Sequence, residues 1–367
     1  MITPKHLKKT VKDDYRLIVI SDIHGHLDRL RSLLKKVHYT PEDYLVILGD
    51  FVEKGDQVRE TIAYIKKLDE NERTFVLMGN CEWAIDALLT IPELAGEIPK
   101  YLKRVSSNGC IREAYQKLHL ADGSETMLGI QRKIAEHLKE ERDYISHLPV
   151  TLKFNHFLFV HAGVERRKDY KKSSLSSLLE MQHFYEQGHL LDEIVVVGHL
   201  PTSNYNEHHI DNHIIIDEEK KMICIDGGVG VKKISQLNAL IIESHQGQIT
   251  YKEEYVQPLP YYTVVQDVIA KEHTPHKISF PYFEIEVLKE EEQFSLCYQR
   301  DTDQKMYIKN EFIYEKQGKT YCLDDYTDAI ITAYQGEQVK LLGIFDRFAY
   351  VIKDNQVGWI LLDYLSI

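Results

Sequence analysis

Five short segments, each following an aliphatic run, carry side chains able to ligate a metal. Their order restricts the chain to folds that bring several strand ends to one edge. They are Asp22-Ile23-His24-Gly25, Gly49-Asp50-Phe51-Val52-Glu53-Lys54-Gly55, Gly79-Asn80-Cys81-Glu82, Val160-His161-Ala162-Gly163 and Val197-Gly198-His199. A lone Asp-x-His or His-Ala-Gly carries little information. An ordered set that supplies carboxylate, amide oxygen and imidazole after five predicted strands points to metal binding.

Two divalent cations held close together repel, and a shared carboxylate offsets that repulsion. Asp50, in the tightest glycine frame, is the natural bridge. Asp22 and His24, with a turn at Gly25, are expected to complete the first metal. Asn80, His161 and His199 are expected to complete the second, with neutral ligands that keep the total charge low. A water bridging such a pair loses a proton near neutral pH, giving a hydroxide that can attack phosphorus in line.

These motifs resemble those of the calcineurin-like metallophosphoesterases, within them the branch of bacterial serine/threonine protein phosphatases and symmetrical dinucleoside tetraphosphatases. The resemblance covers about residues 14–255. It implies metal ligation by Asp22, His24, Asp50, Asn80, His161 and His199. The spacing of Asp22 and Asp50 is also family-like. Asn108-Gly109 and Ile225-Asp226-Gly227-Gly228 resemble two further segments, mainly structural, with Asp226 a candidate partner of the ligands.

Three departures stand out. Where the family has Asp-Arg-Gly, this chain has Glu53-Lys54-Gly55, so a lysine replaces the guanidinium fork that grips phosphate. Where the family has histidine after its asparagine, this chain has Cys81, a weak hydrogen-bond donor. That histidine and its aspartate partner help protonate the leaving oxygen, so Glu53 and Cys81 are the altered catalytic pair. His26 is a candidate replacement acid. The third departure is the lack of an arginine in residues 178–184, where a second phosphate ligand is expected; Arg166, with Arg167 and Lys168, is the candidate substitute, against a solvated basic loop.

The chain has 367 residues, enough for two domains, with ordinary hydrophobic (43%) and charged (28%) fractions. Its net charge of −12 excludes general nucleic-acid coating but not phosphorylated substrates, because bound metals supply local positive charge. Five scattered cysteines form no disulfide framework, and the apolar run at 17–20 is too short for a signal peptide or span. A cytoplasmic protein without membrane attachment is expected.

Strand patterns at 16–21, 44–49 and 74–78 alternate with helical spacing at 27–38 and 57–68, implying an α/β core with crossover helices. Residues 83–147 are expected to be a helical insertion, with a turn at Asp122-Gly123-Ser124. Strand patterns return at 156–161, 193–198, 213–217, 222–226 and 237–243. The predicted fold is an α/β (α+β) metallophosphoesterase β-sandwich flanked by helices, over residues 1–257. Pro258 and Pro260 mark a boundary, and 258–367 is expected to be a β-rich domain, SH3-like on the strength of Gly358-Trp359. Its aromatics are candidates for a peptide-binding surface or for a small barrel core.

The expected function is hydrolysis of a phosphoester by two divalent metals, manganese first with iron or zinc as alternatives. Lys54 and Arg166 are expected to contact the phosphate. A phosphorylated protein is the first substrate class, and a dinucleoside polyphosphate or other nucleotide the second. A metal-stabilised scaffold acting through its C-terminal domain on a protein or peptide partner is the reading from a different class.

Overall fold

The computed structural model describes residues 4–12, 14–104, 109–122, 125–206, 208–270 and 274–366. Asn108 and the predicted turn residues Gly123 and Ser124 lie outside them.

The chain packs as two compact units. The first comprises residues 1–201, 213–231 and 236–256, and the second 202–212, 232–235 and 257–367.

In the first unit, strands Tyr15–Ile20, Tyr44–Ile47 and Thr74–Val76 run parallel. Strands Leu237–His245 and Gln248–Val256 extend that sheet antiparallel beyond Tyr15–Ile20. A second sheet is built on a parallel trio, Phe157–Val160, Ile194–Val197 and Met222–Cys224. Thr151–Phe154 and His6–Lys9 flank it on one side and Ile215–Asp217 on the other.

The two sheets share one core. Leu17, Val19, Val46, Leu240 and Ile242 of the first sheet pack with Leu152, Phe154, Phe157, Phe159, Val196 and Ile223 of the second. Alternation along each strand sends these residues inward and their neighbours to the opposite face. Truncating one of these phenylalanines to alanine costs about 3–5 kcal/mol, so the sandwich is strongly determined.

The outer positions of the first sheet, such as Ile18 and Leu45, are equally buried. Two crossover helices, Leu27–Lys36 and Val58–Leu68, follow the first and second strands. Leu27, Leu30, Leu33 and Leu34 form the buried stripe of the first, with Asp28 in its first turn and Lys35 and Lys36 in its last. His38 takes a left-handed φ of 52° just beyond the end of that helix. Val58, Thr61, Ile62 and Ile65 form the corresponding stripe of the second helix. Residues 80–145 are helical wherever described between their connecting turns, with the longest helices at Asn80–Thr90 and Met127–His137.

The second unit is β-rich. A five-stranded sheet runs in the order Gln304–Lys309, Phe294–Gln299, Glu284–Lys289, Lys319–Cys322, Ile313–Lys316. A four-stranded sheet runs Tyr261–Thr263, Gln338–Phe345, Phe348–Lys353, Gln356–Leu361. Trp359 is 4% exposed, stacks on Tyr350 at 4.5 Å and donates its ring N–H to Thr327 O at 2.9 Å. Of the two fates expected for this aromatic, it takes the core one. No helix among the described residues is long and apolar enough to cross a membrane.

Candidate metal centre

Each of the six candidate ligands lies just past the carboxyl end of a parallel strand. Asp22 and His24 follow Tyr15–Ile20, Asp50 follows Tyr44–Ile47 and Asn80 follows Thr74–Val76. His161 follows Phe157–Val160 and His199 follows Ile194–Val197. The chain turns sharply here: Asp22, His24, Asp50, Glu53, Lys54 and His199 all have left-handed backbones, with φ between 47° and 68°. Such conformations cost free energy in non-glycine residues and cluster at functional sites.

The loops approach one another closely. A Cβ on Gly198 would lie 2.4 Å from Asp22 Oδ2, and one on Gly79 2.3 Å from Asp50 Oδ1. Only glycine fits at either place.

Asp50 is central. Its Oδ1 lies 3.5 Å from His161 Nε2 and accepts the Cys81 backbone N–H at 2.8 Å. Its Oδ2 lies 3.7 Å from His24 Nε2 and 3.0 Å from Cys81 Sγ. Two groups have ligand atoms within 4.8 Å of one another: His24, Asp50 and Cys81, and Asp22, Asp50 and His161. Asp50 belongs to both. Asn80 Oδ1 meets His161 Nε2 at 3.0 Å and His199 Nδ1 at 2.9 Å.

The hydrogen bonds preset these side chains for a cation. His161 Nδ1 faces Leu48 O at 2.8 Å, and His24 Nδ1 faces Val52 O at 3.2 Å. A proton on each Nδ1 leaves the Nε2 lone pair turned into the site. The His161 lone pair then meets Asn80 Oδ1, and two acceptors in contact are reconciled by a cation. The residues present therefore fit divalent metal ions.

Electrostatics agree. Burial, with Lys54 beside it, lowers His24 to about 3, and burial with His161 nearby lowers His199 to about 4, so both rings are neutral. Burial opposes the charge on Asp50, but His161, His24 and Lys54 outweigh it and hold the carboxyl below its usual range. Burial and the neighbouring Asp50 push Asp22 up to about 7. Two carboxylates this close need positive charge between them.

Lys54 supplies some. Its Nζ lies 2.9 Å from His24 Nε2. Burial works against its charge, yet Cys81, Asp50, Asp22 and Asp226 together raise its pKa.

The other predicted site residues are placed differently. Glu53 is 3% exposed and turns towards Cys110, whose Sγ lies 3.4 Å from Oε1. A Cβ on Gly109 would lie 2.1 Å from its Oε2. No hydrogen bond joins Glu53 to Cys81 among the described residues. The longer carboxylate has moved to the Gly109 side. Arg166 is exposed on the loop after His161, and among the described residues no hydrogen bond or ion pair brings it to the site; the neighbouring Arg167 pairs with Glu165. His26 Nδ1 is held at Ile23 O at 3.1 Å.

Two groups that sequence reasoning passed over hold the ligands in place. Ser21 Oγ donates to Asp22 Oδ2 at 2.5 Å, and the His199 N–H donates to the same oxygen at 2.9 Å. Glu82 is fully buried and accepts from the backbone N–H groups of Asp50, Phe51, Val52 and Gly79, at 2.7–3.1 Å. Its place in the Gly-Asn-Cys-Glu motif was the available signal. Asp226 accepts from the Gly228 N–H at 2.7 Å, and burial with Asp22 nearby pushes its carboxyl well up.

A model of the calcineurin-like phosphoesterase family matches residues 15–231, more than half of the chain. The chain belongs to that family. It is similar to the symmetrical bis(5'-nucleosyl)-tetraphosphatase of Actinobacillus pleuropneumoniae serotype 3 (strain JL03), 38% identical over 63 residues, which are 17% of this chain and 23% of that protein. It is also similar to the symmetrical bis(5'-nucleosyl)-tetraphosphatase of Shewanella loihica (strain ATCC BAA-1088 / PV-4), 30% identical over 148 residues, 35% of this chain and 54% of that one. The chain thus spans about a quarter to a half of the length of these relatives. Among solved structures, a putative diadenosine tetraphosphatase is similar at 18% identity and a TM-score of 0.45, over 68% of this chain and 98% of that one. A protein serine/threonine phosphatase from Saccharomyces cerevisiae is similar at 11% identity and a TM-score of 0.39, over 70% and 85%.

Proposed function

We propose that this chain is a two-metal phosphohydrolase that cleaves substrates with a stable anionic leaving group, of which phosphoanhydrides such as dinucleoside polyphosphates are the leading class. The observation that carries this reading is Cys81. A thiol bound to Asp50 stands where an imidazole acid is expected, and Glu53 is turned away from it. The leaving oxygen therefore receives little help from a proton donor. A nucleotide phosphate leaves readily as an anion, whereas a serine alkoxide does not.

Asp22, His24, Asp50, Asn80, His161 and His199 would hold the metals, with Asp50 shared. Bound there, a divalent pair supplies positive charge to the phosphoryl oxygens and makes water a nucleophile near neutral pH. The chain's own residues do the rest. Ser21 and the His199 N–H fix the rotamer of Asp22. Glu82 holds the Asp50 loop through the N–H groups of Asp50, Phe51 and Val52 and ties it to Gly79 through a fourth. Lys54 gives the phosphate one point contact. Manganese, iron and zinc all suit the oxygen and imidazole ligands.

A phosphoserine or phosphothreonine protein is the second reading, supported by the motif set's resemblance to that branch. Five free cysteines suit a reducing compartment such as the cytoplasm. The C-terminal segment 258–367 is proposed as an SH3-like domain that selects partners.

Turnover of a dinucleoside tetraphosphate, p-nitrophenyl phosphate and a phosphoserine peptide tests this reading. The first two should be cleaved well and the peptide much more slowly. Faster cleavage of the phosphoserine peptide would overturn the leaving-group argument.

A further inference from the structure

The thiol of Cys81 has a second use beyond the acid role it fills poorly. Its Sγ sits 3.0 Å from Asp50 Oδ2, and His24 Nε2 lies 3.7 Å from that same oxygen. All three ligand atoms lie within 4.8 Å of one another. Ligands bonded to one tetrahedral zinc at about 2.0–2.3 Å stand roughly 3–4 Å apart. The side chain is held in place: the Cys81 N–H is bonded to Asp50 Oδ1 at 2.8 Å, and Asn80 Nδ2 approaches the sulfur at 3.8 Å. The second ligand group, Asp22 with Asp50 and His161, does not include the cysteine.

We propose that Cys81 is a metal ligand: its sulfur joins His24 and Asp50 at one of the two cation seats and biases that seat towards thiophilic metals. The proposal rests on the two-metal reading. As the metal–sulfur bond forms, the thiol proton passes to solvent and the sulfur donates its lone pair. A soft sulfur favours zinc or ferrous iron over manganese. The two seats then differ: one holds sulfur, nitrogen and oxygen ligands, and the other only oxygen and nitrogen. The chain is expected to load a mixed pair or zinc before manganese.

Cobalt(II) loading of the full chain tests this. The wild type should show a thiolate-to-cobalt charge-transfer band in the near ultraviolet. Cys81→Ser should lose the band while still binding cobalt, and Cys110→Ala should keep it. X-ray absorption of the zinc-loaded wild type needs no variant and should show one sulfur per chain at about 2.3 Å, an average of half a sulfur per zinc with both seats filled. Cobalt uptake without a thiolate band, a band that survives Cys81→Ser, or a zinc spectrum lacking sulfur would each overturn the proposal. A wild-type chain that binds no cobalt or zinc would overturn the two-metal reading itself and this inference with it.

Discussion

At the scale of single residues, Lys54 has two tasks that compete. In the proposed reading its ammonium steadies the phosphate, and that same ammonium leans on His24 Nε2, an atom a metal requires. Lys54→Met should therefore tighten metal binding, since a positive neighbour and a competing donor are both removed. The same change should lower kcat/KM by roughly ten- to a hundredfold, as expected for loss of a charge-assisted hydrogen bond of about 1.5–3 kcal/mol. Calorimetric metal titration alongside steady-state kinetics reads both effects. A variant with unchanged metal affinity and unchanged kcat/KM would remove Lys54 from the site. Asp22 makes a separate prediction about pH. Burial and Asp50 raise its folded value to about 7, so between its unfolded value near 4 and pH 7 the metal-free fold holds a proton that the unfolded chain has lost. Asp22 therefore contributes stability to the metal-free protein that is lost as pH rises through that window, against the opposite contribution of His24 and His199, which stay neutral in the fold while the unfolded rings take up protons below pH 6.5. Metal should restore it most at pH 7 and above. Thermal melts from pH 4.5 to 7.5, with and without metal, check this. A metal-free Asp22→Asn variant whose melting temperature changes with pH just as the wild type's does would contradict the assignment.

Elements place these residues, and the loops between strands and helices are the tightest part. Gly198→Ala puts a methyl 2.4 Å from Asp22 Oδ2 and 2.0 Å from Ser21 Oγ. We predict loss of metal from the seat that uses Asp22, with the fold retained, because the sandwich core lies away from this loop. Metal content and far-ultraviolet circular dichroism together report it; full metal loading in this variant would show that Asp22 does not ligate. Much of this level was legible in the sequence. The runs before Asp22, Asp50, His161 and His199 are β-branched and apolar on both faces, as strands buried on both sides must be. The helices announced themselves through leucine and isoleucine spacing. Other strands were not legible. His6–Lys9 is polar at every position but Leu7, and as an edge strand it is partly exposed along its length. Gln248–Val256 alternates exposed and half-buried positions, so its apolar count is low. At the site, the identity of each ligand residue was readable, but the turning of Glu53 towards Cys110 was not. That depends on how close the backbone of Gly109 comes, a tertiary property. The anchoring by Glu82 was missed for a related reason: a buried carboxylate that serves four backbone N–H groups looks in sequence like any helical glutamate.

At the scale of the whole molecule, the chain crosses between the two units more than once. The chain passes between them at 201/202, 212/213, 231/232, 235/236 and 256/257. The first of these crossings comes directly after the His199 loop. The third follows Gly230, where a Cβ would come within 3.0 Å of His24 Cβ and 3.1 Å of Lys54 Cβ. Within the second unit, Lys232 Nζ binds Asp325 Oδ1 at 2.6 Å, Ser203 Oγ binds Asp325 Oδ2 at 3.2 Å, and Ile210 and Ile234 join the aromatic core. A chain ended at 257 leaves Lys232 buried-charge chemistry without its carboxylate and uncovers both isoleucines. We predict that such a truncation aggregates or binds metal more weakly, and that Asp325→Ala in the full chain costs about 3–5 kcal/mol of stability, as when one partner of a buried ion pair is lost. A soluble truncated protein with unaltered metal affinity and turnover would show instead that the second unit is a separable module.

The central claim is that one carboxylate, Asp50, is shared by two cation seats. Metal stoichiometry tests it most directly. Full-length protein saturated with zinc or manganese and freed of excess ion should contain two ions per chain by elemental analysis. Asp50→Asn, which keeps the shape of the side chain and removes its charge, should contain at most one. A single ion in saturated wild type, or two ions in Asp50→Asn, would contradict the account.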